Sequence, residues 1–558
     1  MIALEKDTKP CGVDAIIDGS TYLLSSARYY GGADGRIYDG KKNDKVICNH
    51  LILPICQLED VYTGDVQMEI AFKDCDKWKT VVASRQVIAT EKIKTLADKG
   101  VDVTSENHRA LSTYLIEIAR ENQDHLKTKK SVCQVGWIKD GNETAFFPYS
   151  GGAYTFGGSD DFRELLNSIH EHGDHQTWVD TMRDVRNQKS SLPVRLSVAT
   201  SFASVLLEPC QALPFFLHLW GGSENGKTVA LMCAASVWGD PQKYYMSFNA
   251  TAVGLEKRAS FLNHLPMCID ELQIKSAQGI NAFDDMIYMM AEGAGRTRGT
   301  KDGGLQKETH WRSSFITTGE QPLTSDRSAG GAVNRKLELL CSEKVCADPR
   351  ALYLKIIENY GSAGRVFVDH LLSVGWDEVR RLQNDYYEQL KQTDCTDKQA
   401  VSASVILAAD ELATRWIFQD GAALTAADMK AVLKTRKEVD ANERAFDFLL
   451  QLIESNSGHF ADNLQLFIER WGWYKGDDIC IIKRIFDREI ESGSYDPAAL
   501  LAFLKEKDLV LCDKGRRTKK ERFSGSRNGV DCVRLIGKNL PANSADPDSE
   551  NVGVNDSL

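Results

Sequence analysis

Eight residues, Gly221-Gly222-Ser223-Glu224-Asn225-Gly226-Lys227-Thr228, fit the spacing G-x-x-x-x-G-K-[ST]. That spacing suits a nucleoside triphosphate. Its glycines let backbone N–H groups turn inward around phosphates, and the helix that follows adds the partial positive charge of its N-terminus. Lys227 is long enough to reach the β- and γ-phosphates, and the Thr228 hydroxyl suits Mg²⁺. The flanks agree. The apolar run PFFLHLW precedes the match and KTVALMCAASVW follows it, a strand and a helix where the motif requires them. An accidental glycine-rich turn would need neither.

A phosphate site of this kind needs carboxylates. Leu265-Pro266-Met267-Cys268-Ile269-Asp270-Glu271 is an apolar run ending in two of them. At the C-terminal end of a parallel strand, Asp270 faces the Mg²⁺ side and Glu271 is placed to polarise the attacking water. Asp270 could instead cap the next helix, but its place some forty residues after the P-loop favours catalysis. The run SSFITTGE (313–320) ends in hydroxyls. Between the P-loop and the acidic strand, such a hydroxyl can sense the γ-phosphate or orient water. Thr318 is the first candidate and Thr317 the second, against an ordinary strand end. Asn249 could hold Glu271 in an inactive pose or cap the following helix.

These residues need a scaffold, and residues 214–345 alternate strand and helix (PFFLHLW, YYMSFN, LPMCIDE and SSFITTGE with helices between). That alternation predicts a parallel sheet with helices on its faces. The expected organisation is an α+β N-terminal domain over 1–150 and a P-loop core over 160–345. A helical segment follows over 346–440, then a C-terminal domain over 441–540 and a disordered polar tail over 541–558. The glycine-rich 150–161 stretch reads as a boundary. Near the C-terminus, Lys514, Arg516, Arg517, Lys519, Lys520, Arg522 and Arg527 crowd one loop. From about residue 440, helices and then LVLC precede the loop and DCVRLI follows it, the order of a winged helix whose wing lays cations along a phosphate backbone. A solvated loop or a protein contact is the alternative.

Length and composition bound these readings. At 558 residues the chain has room for three or four domains. With 42% hydrophobic and 26% charged residues it is neither a mainly disordered chain nor a fibre. No run approaches the ~20 apolar residues that span a bilayer, and MIALEKDTKPCGVD lacks a signal-peptide core. The expectation is a cytoplasmic protein without a membrane partner. The 14 cysteines form no CxxC pair and read as reduced core thiols. A net charge of −11 argues against a passive nucleic-acid coat but leaves room for a local basic groove.

The order of P-loop, acidic strand, polar strand end and later arginine resembles AAA+-type P-loop ATPases. FNATAVGLEKRASFLNHLPMCIDELQ, FITTGE and ILPICQLEDVYTGDVQMEIAFK…TSENHRAL resemble more closely an uncharacterised-domain family of bacterial phages and integrative elements. That family's relatives include the MCM-like Cch replicative helicases of staphylococcal cassette elements. The resemblance covers roughly residues 20–420. It implies a hexameric ATP- and Mg²⁺-dependent helicase moving on single-stranded or forked DNA in a bacterial cytoplasm, beside a primase or polymerase of the same element. It also implies a basic hairpin before the polar strand, carrying Arg296, Arg298 and, at the tip, Lys301. Arg335, with Arg327 in reserve, would reach a neighbouring subunit's γ-phosphate. Outside the span of the resemblance, the basic loop itself points to Arg516, Arg517, Lys519 and Lys520 as DNA contacts of the wing. The competing classes are a protein-remodelling or loading ATPase and an ATP-switched initiator, both of which would use the same phosphate chemistry.

Overall fold

The computed structural model describes residues 10–13, 22–75, 77–272, 280–299, 304–305, 308–323, 333–461, 469–523 and 528–540. Lys301, Arg327, Arg527 and the tail lie outside the described residues.

Five parallel strands form the sheet that carries the P-loop. Their order is Met246–Ser247, Met267–Asp270, Ser314–Gly319, Phe215–Trp220 and Lys336–Leu340. The polar strand therefore lies between the P-loop strand and the acidic strand, as its hydroxyls anticipated. Parallel register puts the C-terminal ends of all three on one edge. Phe215, Phe216, Leu217, Phe315 and Ile316 are buried, the near-continuous apolar pattern of strands that do not face water.

Helix Lys227–Ser236 leaves the P-loop and packs on helix Leu192–Leu206. Ser201 joins the two, donating to the Ala234 carbonyl at 2.7 Å and accepting from Trp238 Nε1 at 2.9 Å. Apart from Arg195, the Leu192–Leu206 helix carries only apolar and small hydroxyl side chains and is almost wholly buried, as a helix enclosed by others tends to be. Helix Asp397–Ala413 also packs on it. One hydrophobic core runs from Val132 to Val432 and takes in the helices after residue 346. The hairpin of Gly136–Asp140 and Glu143–Phe147 belongs to that core. Trp137 donates to the Val205 carbonyl at 2.8 Å, and Phe146 stacks near Trp238.

A second core lies N-terminal to it. The sheet order there is Tyr154–Phe156, Lys127–Val132, Ile52–Asp60, Val66–Asp74, Lys77–Ser84. Helix His108–Glu121 buries Leu111, Leu115 and Ile118 in this core. A third core joins helices Ala441–Ser455, Lys483–Ser492 and Pro497–Glu506 to an antiparallel sheet. That sheet runs Gly472–Lys475, Asp478–Ile482, Val530–Leu535, Val510–Leu511, with Lys519–Glu521 also on Val530–Leu535. Among the described residues, no helix is long and apolar enough to cross a membrane.

Two local expectations change. YYMSFN is not one strand. Tyr244 ends the short helix Pro241–Tyr244 and only Met246–Ser247 pair. Asp240 caps that helix and Pro241 occupies its first turn, where proline's fixed φ starts a helix rather than a strand. The hairpin at 472–482 stands where helices were expected ahead of LVLC.

Candidate active site

The P-loop is held by the strand and loop that follow the sheet. Gly221 has φ +135°, and a Cβ there would lie 2.6 Å from the Cys341 carbonyl oxygen. Gly226, at φ +84°, opens helix Lys227–Ser236. Both positions need a residue without a side chain. Asn225 donates from Nδ2 to the same Cys341 oxygen at 2.8 Å, and its own carbonyl accepts the Val345 N–H at 2.9 Å. The loop is thus clamped from 341–345, and its residues Ser223, Glu224 and Gly226 border a cavity of about 350 Å³. Ser223, Glu224, Lys227 and Thr228 line one side of it. Lys227 is buried and donates to the carbonyls of Gly221 (2.9 Å) and Gly222 (2.6 Å).

Asp270 closes the opposite wall. Thr228 Oγ1 donates to its two oxygens at 3.2 and 3.1 Å. The Thr318 hydroxyl donates to Asp270 Oδ1 and accepts the Glu271 N–H at 3.2 Å. The Leu272 N–H donates to the Thr318 carbonyl at 2.8 Å. These bonds fix Glu271 in the left-handed region, at φ +58°. For a residue with a Cβ, such a backbone costs on the order of 1–3 kcal/mol and tends to occur at functional sites. Glu271 is exposed and lines the cavity. The hydroxyl of Thr228 and the carboxylate of Asp270 are hard oxygen donors, the kind Mg²⁺ takes.

The structure separates the two threonines. Thr318 faces Asp270, whereas Thr317 points to the far side of the strand, its hydroxyl 2.8 Å from His218 Nδ1. Burial pushes the His218 imidazole down to about 4, so it is neutral at pH 7. On an ATP-hydrolysing reading of this cavity, Thr318→Val should lower kcat about ten- to a hundredfold, the worth of lost hydrogen bonds to a charged group. Thr317→Val should leave kcat alone and lower stability by about 1–3 kcal/mol, because His218 Nδ1 loses its partner. Steady-state ATPase rates and urea midpoints on both variants check the split.

Asn249 does not cap the next helix. Thr251 does, accepting the Gly254 N–H at 3.2 Å. Glu320 went unsingled in the sequence, yet it accepts from Ser223 Oγ at 2.8 Å across the cavity. Side-chain alternation at a strand end could have found it, since Glu320 lies two residues beyond Thr318.

The expected basic residues divide. Antiparallel bridges pair Ala294 with His310 and Gly299 with Leu305, so a hairpin precedes the polar strand. Arg298 is engaged inside the chain, with its guanidinium on both oxygens of buried Glu256 at 3.1 and 2.6 Å. Thr309 Oγ1 donates to the same carboxylate at 2.9 Å. Burial would raise Glu256, but the Arg298 and Thr309 bonds hold it below the ordinary range. Arg298 therefore braces the hairpin stem, and Arg296 is the exposed cation beside it. Arg335 is 8% exposed, paired with Glu292 at 2.6 Å and set over the Tyr288 ring. It precedes strand Lys336–Leu340, at the opposite end of the sheet from its own P-loop. At the C-terminal loop, Arg516, Arg517 and Lys520 are exposed, while Lys519 is half-buried with its amine 3.8 Å from Glu521.

A family model described as a domain of unknown function (DUF927) matches residues 32–310, half of the chain. The chain belongs to the DUF927 family. A second model, the Cch helix turn helix domain, matches residues 440–537. Its span takes in the third core and places DUF927 and Cch-type segments on one chain. No curated protein matches the sequence. Among solved structures the chain is similar to one described as "SCCmec type IV Cch - active helicase". Identity is 19% and the TM-score 0.66, over 90% of this chain and 96% of that one. At that identity the two share a fold, and this DUF927 chain shares it almost end to end.

Proposed function

We propose that the chain is an AAA+-type ATPase that drives a ring-forming DNA helicase along single-stranded DNA during replication of a mobile genetic element. The observation that carries the reading is the meeting of Lys227, Thr228, Asp270, Thr318 and Glu271 around one cavity. Five residues from three strand ends converge there as ATP hydrolysis requires. The fold shared with a protein described as an active helicase supports the choice of nucleic acid as the second substrate.

In the reaction, Lys227 gives up the Gly221 and Gly222 carbonyls for the β- and γ-phosphate oxygens of ATP. The inward N–H groups of the P-loop hold the remaining oxygens. Thr228 and Asp270 would hold Mg²⁺, which neutralises charge on the triphosphate. Glu271 takes a proton from water as its oxygen bonds to the γ-phosphorus and the bond to the bridging oxygen breaks, leaving ADP and phosphate. Thr318 positions Asp270 and the Glu271 backbone. Arg335 acts on a neighbouring subunit's site in a hexamer, exchanging its Glu292 partner for phosphate. Arg296 and Lys301 meet the DNA strand, and a primase or polymerase of the same element is the partner.

Unwinding of forked DNA by the purified chain, with ATP and Mg²⁺, tests the reading. DNA that neither binds nor stimulates hydrolysis at low salt would hand the same site to a protein-remodelling ATPase. Assembly has its own test. Arg335→Ala and Lys227→Ala chains, each inactive, should recover part of the ATPase rate when mixed, because one mixed interface holds both native residues. A mixture as inactive as its components removes Arg335 from that role.

A further inference from the structure

We infer that the C-terminal helix–turn–helix unit grips duplex DNA of any sequence, through phosphates at its basic loop and without reading base edges. The inference rests on the helicase reading above and adds what this unit takes and what it ignores.

Helices Lys483–Ser492 and Pro497–Glu506 are joined by a turn of four residues, Gly493–Asp496. In such a pair the second helix enters the major groove and presents its N-terminal residues to the bases. Here those residues are Pro497, Ala498 and Ala499, and Ala502 follows one turn on. Ala498 and Ala499 are exposed, so the surface they offer is methyl. The carboxylate of Asp496 is spent on the helix cap, accepting the N–H groups of Ala498 and Ala499 at 2.7 and 2.9 Å. Base pairs are told apart by Arg or Lys on guanine, Asn or Gln on adenine, and carboxylates on cytosine. None of these stands on the first two turns. A methyl can touch a thymine methyl and do no more.

The cations lie beside that face. Lys514, Arg516, Lys520 and Arg522 are exposed and, among the described residues, have no carboxylate ion-pair partner. Glu521 is turned away to Lys475 and Arg534, at 2.6 Å from each. Asp513 is occupied in the loop itself, accepting the Lys520 N–H at 3.0 Å. Arg517 donates to the Ala498 carbonyl at 3.2 Å, which seats the loop against the first turn of the helix. Small side chains let that helix approach a duplex closely, and the loop bonded to its first turn carries cations without a carboxylate partner among the described residues. Phosphate contacts fix position and carry no sequence information.

The test is fluorescence anisotropy of the full chain on blunt duplexes of about 20 base pairs, unrelated in sequence and either AT- or GC-rich, over a range of salt. Dissociation constants should agree within about threefold across the set. Lys514→Ala, Arg516→Ala and Lys520→Ala combined should weaken every duplex alike and lower the log–log salt slope by about 2 to 3. A preference above about tenfold for one sequence overturns the inference, since some residue then reads bases. So does a triple variant that binds like the wild type, or a wild type that binds no duplex. Either of the last two leaves the alanine face to a protein partner. ATPase and unwinding rates on the same preparation show separately whether the helicase reading stands.

Discussion

Glu271→Gln should bind ATP as the wild type does and hydrolyse it about 10²–10⁴-fold more slowly, the usual contribution of a positioned general base. Glutamine keeps the size and reach of the side chain, and the backbone that places it is set by the Thr318 hydroxyl and carbonyl, not by the carboxylate. What is lost is the basic oxygen. Lys227→Ala should fail differently, with weak ATP binding as well as no turnover. Among the described residues nothing replaces its charge, because the cavity's other ionisable side chains there are the carboxylates Glu224, Asp270, Glu271 and Glu320. Nucleotide binding by equilibrium titration and turnover by phosphate release separate the two outcomes. Wild-type turnover in both variants would sink the assignment of this cavity to ATP hydrolysis.

The parts of the site legible in the sequence were those fixed by local backbone requirements. Gly221, Gly226, Lys227 and Thr228 need one loop conformation, and that requirement leaves a spacing in the chain. Asp270 and Glu271 were visible because an apolar strand ended in them. The choice between Thr317 and Thr318 was not visible, because it depends on which side of the strand faces Asp270. Only the sheet order decides that, through the His218–Thr317 and Thr318–Asp270 contacts. Arg298 shows the same limit. Two arginines two residues apart look equivalent, and a buried glutamate forty-two residues earlier takes one of them. The Gly472–Ile482 hairpin was missed for another reason. Its strands are four and five residues long, too short for alternation to stand out, although Gly476 at φ +63° marks its turn. The shared core is a long-range fact of the same kind. Val132–Phe156 and the helices after residue 346 pack with the parallel sheet, and no stretch of sequence states what another stretch will cover.

That shared core has a polar lock, and breaking it should produce a large loss of stability from a single substitution away from the P-loop. Arg186 ends helix His175–Arg186 and is 3% exposed as a side chain. Its guanidinium reaches Asp410 at 2.6 Å, Asp420 at 2.8 Å, Thr414 Oγ1 at 2.7 Å and the Ala422 carbonyl at 2.9 Å. The Phe418 ring lies 4.3 Å beneath it. One side chain therefore joins the helix to Asp397–Ala413 and to the π-helical turn Thr414–Phe418. Burial by itself would lower the arginine's affinity for its proton, and the two aspartates more than reverse this. Arg186→Met keeps most of the volume but leaves Asp410, fully buried, and Asp420 without their counter-ion. Removing one member of a buried pair costs about 3–5 kcal/mol. Arg415→Met is the control, because Arg415 is half exposed, paired with Glu411 and near Glu378, and surface pairs of that kind contribute about 0–1 kcal/mol. Urea denaturation followed by tryptophan fluorescence should show a large fall in midpoint for Arg186→Met and almost none for Arg415→Met. Adding Asp410→Leu to Arg186→Met should recover part of the loss, since the stranded charge and not the missing contact area is the main cost. Equal midpoints for the two single variants would mean that the lock contributes no more than a surface pair, and that apolar packing alone holds the helices after residue 346 to the sheet.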